Sequence, residues 1–136
     1  MPTENVETVR RLFKTVEARD LAGMLAVYDH EIVIREASFL PYGGVHHGHE
    51  GAKLHAMSFV STWNKFQPTD EKLTDAVFID AGDRVVVLFR LKGLASKSGR
   101  KIDVPVVGVY QVRGGKVVES QMFYSDTSEI LQFIAD

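Results

Sequence analysis

Apolar residues along this chain follow two rhythms, and the change from one to the other falls near its middle. In the first half they recur every three or four positions. Val6, Val9, Leu12, Phe13 and Val16 make one stripe of a helix. Thr3 can cap that helix, and Glu4 and Glu7 suit its positive end. Asp20 then reads as the N-cap of a short second helix with Leu21, Met24, Leu25 and Tyr28 on its apolar side. The β-branched run "EIVIRE" predicts a strand. A third helix is expected from about Glu50 to Lys65, with Pro68 beyond its end. Its stripe is Ala52, Ala56, Phe59, Val60 and Trp63, and Leu54 and Met57 widen the apolar face. His55 reads as lying off this stripe, facing solvent.

From there on the period is two. "KLTDAVFID", "RVVVLFRLKGLA", "KIDVPVVGVYQV" and "KVVESQMFYS" are four strand candidates. They are joined by "AGD", "SKSG" and "RGG", links short enough only for antiparallel neighbours. The tail "DTSEILQFIAD" predicts a brief helix, with Asp126 three before Glu129 as in a capping box. Helices first and a meander afterwards is an α+β order. A long antiparallel sheet with helices on one face curls around them, and its concave side encloses the core. No repeat, low-complexity tract or linker interrupts the pattern, so residues 1–136 are expected to form one domain.

Composition narrows the function. The chain is 136 residues long, 45% hydrophobic and 25% charged, with a formal net charge of −2. That balance argues against general affinity for nucleic acid or an anionic membrane, both of which favour clustered Lys and Arg. The apolar runs are too short to span a bilayer. The N-terminus has neither the apolar core nor the cleavage site of a signal peptide. Cysteine is absent, which excludes disulfides, a thiolate nucleophile and Cys-based metal sites, and suits a reducing cytoplasm.

Three of the five histidines fall within "PYGGVHHGHEG". His46, His47 and His49 spell H-H-x-H, but adjacent histidines on extended chain point to opposite sides. Zinc needs three or four converging ligands, and no HExxH helix accompanies them, so no metal is expected. The stretch reads as a strand-to-helix elbow in which Gly43, Gly44 and Gly48 permit tight turns.

The motifs "EARDLAGMLAVYDHEIVIRE", "PYGGVHHGHEG", "GDRVVVLFRLKG" and "GGKVVESQMFYSDT" occur in an order that resembles one family over nearly the whole length. It is the SnoaL-like branch of the nuclear transport factor 2-like superfamily, which also contains ketosteroid isomerase and limonene epoxide hydrolase. The resemblance implies a cone-shaped α+β barrel, a curved antiparallel sheet wrapped around the N-terminal helices, with a pocket between them. It also implies frequent dimerisation through the outer face of the sheet. It does not imply one activity. Counted against ketosteroid isomerase from Asp20, Glu36 falls without a gap on the general-base position and Leu12 on the tyrosine donor; placed through the "RGGK" hairpin, Gly108 falls on the acidic donor. Many SnoaL-like chains carry His where Gly108 stands. One of three functional positions therefore keeps suitable chemistry.

Glu36 is the central candidate. It shares a strand face with Ile32 and Ile34, while Val33 and Arg35 take the other. It is either a wet strand end or a desolvated pocket acid of the kind general bases are made from. His46 matches an aromatic near the pocket mouth of SnoaL-like relatives, and is either a pocket residue or an exposed loop histidine. Asp126 is either a helix cap, the reading its position favours, or a group at the pocket rim. His46 or Tyr110 would donate to a developing oxyanion, and Glu36 is expected to point into the cavity close to at least one of His46, Tyr110 and Asp126. Val16, Tyr28, Tyr42, Phe59, Trp63, Met122 and Tyr124 are expected to line an apolar pocket.

Two functions follow. One is an isomerase- or cyclase-type enzyme, without metal or cofactor, that abstracts a proton next to a carbonyl of a small apolar substrate. The other is a non-catalytic ligand-binding or dimerisation module with the same pocket. A homodimer is expected in either case, because Val86, Leu88, Val107 and Val109 would leave an apolar outer face on the sheet.

Overall fold

The computed structural model describes residues 2–67 and 73–135 of the chain. Four α-helices, one 3₁₀ turn and six strands follow in the order α1 (Pro2–Glu17), α2 (Leu21–Val27), β1 (Tyr28–Glu36), β2 (Gly44–His47), α3 (Gly48–Trp63), the 3₁₀ turn (Asn64–Phe66), β3 (Leu73–Ala81), β4 (Arg84–Ala95), β5 (Arg100–Arg113), β6 (Lys116–Tyr124) and α4 (Thr127–Ile134). The architecture is α+β, a curved, unclosed six-stranded sheet with helices against its concave face.

The stripe that predicts α1 is the face it buries. Val9, Leu12 and Phe13 are all removed from solvent, and each such side chain contributes about 1.5–3 kcal/mol of burial. The expected Thr3 cap concerns a side chain outside the described residues, as does the position of Pro68. At the far end of α1 two bonds close a Schellman motif: Asp20 N–H donates to the Thr15 carbonyl at 2.9 Å and Arg19 N–H to that of Val16 at 3.1 Å. Asp20 then caps α2 as expected, its Oδ1 accepting from Gly23 N–H at 2.9 Å. Tyr28, expected on the α2 face, instead opens β1.

The sheet order is β2-β1-β6-β5-β4-β3. β3 to β6 form the antiparallel meander read from period two, with Val87 opposite Gly108 and Gly108 opposite Met122. The β5–β6 hairpin turns on Gly114 and Gly115, with φ of 59° and 77°, the left-handed pair that a type I′ turn demands. Two features were not foreseen. The elbow "GVHH" is itself a short edge strand, β2, paired antiparallel with β1. β1 in turn lies parallel to β6, with Ile34 beside Ser120. After β5 takes one side of β6, the other side is open, and β1 enters along it from the helical end of the chain.

Alternation decides what faces inward. Val85, Val87, Phe89 and Leu91 on β4, and Val104, Val106 and Tyr110 on β5, are buried beneath α1 and α3. α4 closes one end with Ile130 and Phe133, the latter stacked on Trp63 at 6.3 Å. Asp126 caps α4, its Oδ1 accepting from Glu129 N–H at 3.0 Å. No helix among the described residues is long and apolar enough to cross a membrane.

Candidate functional site

Between α1, α2, α3 and the concave sheet lies a cavity of about 410 Å³, within the range of small-molecule sites. Its floor is apolar, built from Leu12, Phe13, Met24, Ile34, Phe89 and Leu91. Glu36 reaches it because β1 parity carries its side chain inward with Ile32 and Ile34. The opposite face of β1 holds Arg35, which pairs with Glu119 at 2.9 Å across the outside of the sheet.

Glu36 is nearly fully buried, with 3% of its side chain exposed, and both carboxylate oxygens are held. Tyr124 Oη donates to Oε1 at 2.6 Å. The His55 ring meets Oε2 through Nε2 at 2.9 Å; against a carboxylate acceptor, Nε2 carries the proton. A second layer supports the first. Trp63 Nε1–H donates to Tyr42 Oη at 3.0 Å, and Tyr42 is hydrogen-bonded to Tyr124. Trp63, Tyr42 and Tyr124 thus stand in a row behind Glu36, with the Tyr124 hydroxyl the one that touches it.

Every tyrosine of the chain takes part in this environment. Burial, and then the negative charge of Glu36, raise the pKa of Tyr28 and Tyr42 above the usual phenol value. Tyr110 and Tyr124 are also pushed well up, first by burial and then by neighbouring tyrosines and Glu36. All four remain neutral hydroxyl donors at ordinary pH. Two of them keep donor capacity. Tyr28 Oη lacks a hydrogen-bond partner among the described residues, and Tyr110 Oη meets only Met122 Sδ at 3.7 Å. Ser120, 1% exposed and lining the cavity, brings a third unengaged hydroxyl beside Tyr110, its register partner.

The ring of Tyr110 also accounts for Gly108. A Cβ at Gly108 would lie 2.7 Å from Tyr110 Cε1, so the aromatic ring fills the space that an acidic or imidazole side chain would occupy. Leu12, at the tyrosine-donor position of the isomerase alignment, is plain cavity wall.

Several expectations are corrected. Glu36 enters the cavity; the groups bonded to it, His55 and Tyr124, were not foreseen, and its charge is felt at Tyr110. Asp126 caps α4 and is exposed, away from the lining. His46 does not line the cavity. Its Nε2 meets the Tyr42 carbonyl at 3.1 Å, and its ring lies 5.1 Å from that of His55, which it backs. His55 faces Glu36, not solvent. Its position three after Ala52 and four before Phe59 was the signal that could have placed it on the inner stripe. Val16, Tyr28, Phe59, Met122 and Tyr124 line the cavity, whereas Tyr42 and Trp63 stand behind it as support. His49 meets the Tyr28 carbonyl and His47 is exposed. Among the described residues no group of three or more His, Asp or Glu side chains is arranged to hold a metal ion.

A family model described as a SnoaL-like domain matches residues 9–120. Similar solved structures include an NTF2-like protein of unknown function from Burkholderia pseudomallei K96243, 26% identical with a TM-score of 0.82 over 98% of each chain. TerC co-crystallised with polyporic acid is 21% identical with a TM-score of 0.82, covering 98% of this chain and 99% of that one. A Jannaschia sp. CCS1 protein assigned as a SnoaL-like polyketide cyclase is 25% identical with a TM-score of 0.70, covering 98% and 92%. No curated protein is a significant match. The chain belongs to the SnoaL-like domain family.

Proposed function

We propose that this SnoaL-like chain is an acid–base enzyme of the isomerase or cyclase type, which moves a proton beside a carbonyl of a small, largely apolar substrate. The observation that carries the reading is Glu36, a carboxylate with 3% of its side chain exposed on the wall of an apolar cavity. A buried carboxylate is costly unless partners or a task sustain it. Here His55 and Tyr124 hold it in one rotamer, and each oxygen keeps a second lone pair able to take a proton. Proton abstraction next to a carbonyl leaves an enolate, whose oxygen needs donors in a site that excludes water. Tyr28, Tyr110 and Ser120 offer hydroxyls without strong partners on the same wall. The proton held by Glu36 can then return to a different carbon of the enolate, or the enolate carbon can attack a second carbonyl in a ring closure, opening its C=O π bond to an alkoxide that takes the proton from Glu36.

A second reading keeps the cavity and omits the chemistry. It is favoured by the engagement of both Glu36 oxygens and by the apolar residues at positions 12 and 108. In that case the chain is a ligand-binding module. Glu36→Gln separates the two. Its amide can accept from Tyr124 and donate to His55 in the other tautomer, so the fold and ligand affinity should persist. Turnover on a panel of small carbonyl compounds should fall about a hundredfold or more. The direct readout is solvent deuterium exchange at the carbon next to the carbonyl. Exchange that survives unchanged in Glu36→Gln, or is absent in the native protein, rejects the catalytic reading.

The working form on this reading is a homodimer in a reducing, cytoplasmic setting. On the convex face, Val77, Leu88, Val107 and Phe123 stand side by side across four strands. Val77, Leu88 and Phe123 are exposed large hydrophobics. Charged pairs such as Arg90–Asp103 and Arg35–Glu119 flank the patch. An apolar centre with a polar rim is the anatomy of an interface.

A further inference from the structure

We propose that Arg19 is an anion-recognition residue at the mouth of the cavity, and that the ligand is an apolar molecule carrying one carboxylate. The proposal rests on the reading of the cavity as a ligand site and adds the class of molecule it takes.

Three observations carry it. Arg19 sits at the C′ position of the Schellman motif that ends α1, with φ of 56°. That left-handed conformation belongs to glycine, and an arginine there is strained. A strained residue persists where its surroundings fix it, and such positions gather at ligand sites. Second, the side chain is fixed by neutral groups alone. Nε donates to Asn64 Oδ1 at 3.1 Å, one terminal nitrogen to the Val16 carbonyl at 3.3 Å and the other to Gln67 Oε1 at 2.9 Å. The guanidinium lies over the Phe59 ring at 5.5 Å. No carboxylate among the described residues is within ion-pair distance of it. Burial without an anion lowers its pKa. Third, it lines the cavity together with Leu21, Met57 and Phe59.

The donor count names the partner. A guanidinium has five N–H bonds, and three are used, leaving one on each terminal nitrogen. Two donors suit the two oxygens of a carboxylate. A phosphate would need more positive charge, and among the described residues Arg19 is the only Lys or Arg in the lining. Of the acidic residues there, Glu36 is held by His55 and Tyr124, and Asp20 turns Oδ1 to Gly23 N–H. The ligand acid would therefore stay at the mouth, with the apolar body inward and a carbonyl toward Glu36.

Matched acid and amide probes test this, for example 2-naphthylacetate against 2-naphthylacetamide, within a panel of such pairs measured by calorimetry. The native protein should bind acids at least about tenfold tighter than their amides, because a charge-assisted pair replaces a neutral one. Arg19→Gly relieves the left-handed strain while giving up the bonds to Asn64 and Gln67, so the protein should stay folded with a melting temperature within a few degrees of the native one. It should lose the preference for the acid, with affinity for the acid falling at least about tenfold further than affinity for the amide. Equal affinity for acid and amide in the native protein, or a preference that survives in Arg19→Gly, overturns the role of Arg19 and leaves the cavity reading standing. Failure of every acid and amide to bind overturns both.

Discussion

Tyr124→Phe removes one oxygen atom and tests whether the buried carboxylate is organised as described. The lost contact is the 2.6 Å bond to Glu36 Oε1. A hydrogen bond to a charged group contributes about 1.5–3 kcal/mol. The expected loss is therefore about 1.5–3 kcal/mol. In a Glu36→Gln background the bond from Tyr124 is neutral and contributes only about 0.5–1.5 kcal/mol. The coupling between the two sites should therefore be about 1–2 kcal/mol. Urea unfolding of the native protein, both single variants and the double variant, with equal m values, supplies the four stabilities. A loss below about 1 kcal/mol in Tyr124→Phe, or additivity within about 0.5 kcal/mol, would refute the charge-assisted bond.

Alkaline titration should be cooperative. All four tyrosines have folded pKa values raised above that of the unfolded chain, about 10. Their contribution to stability is intact below pH ~10 and is lost as pH rises toward the folded values, at up to about 1.4 kcal/mol per pH unit for each. Tyrosinate absorbance should therefore appear in one step together with loss of circular dichroism. A gradual titration near pH ~10 in a folded protein would contradict the buried network. For the convex face, light scattering should give a dimeric mass for the native protein and a monomeric mass for Leu88→Glu, which charges the centre of the apolar row while the inner face stays intact. A native protein that is monomeric at high concentration would remove that interface.

Local pattern alone determined a good deal of this protein. The stripe of α1, the Asp20 and Asp126 caps and the four meander strands were legible because each depends on residues a few positions apart, whereas on α3 Leu54 and Met57, read as apolar face, are exposed and His55 is turned inward. Parity along "EIVIRE" turned Glu36 inward for the same reason. What parity cannot give is the neighbour across the fold. Tyr124 is 88 residues from Glu36 and His55 is 19 away, and their convergence depends on β1 lying parallel to β6 and on the roll of α3 over β1. The short strand β2 was hidden because glycine and histidine carry little β-propensity, and its pairing with β1 is what fixes it. Arg19 was hidden more deeply. In sequence it is one charge between two helices; only the tertiary packing brings it the acceptors of Asn64 and Gln67 and a place in the cavity lining. Sequence set which side of each element is apolar, and the tertiary structure decided which polar groups that burial brings together, because a buried polar group is stable only where the fold supplies its partner.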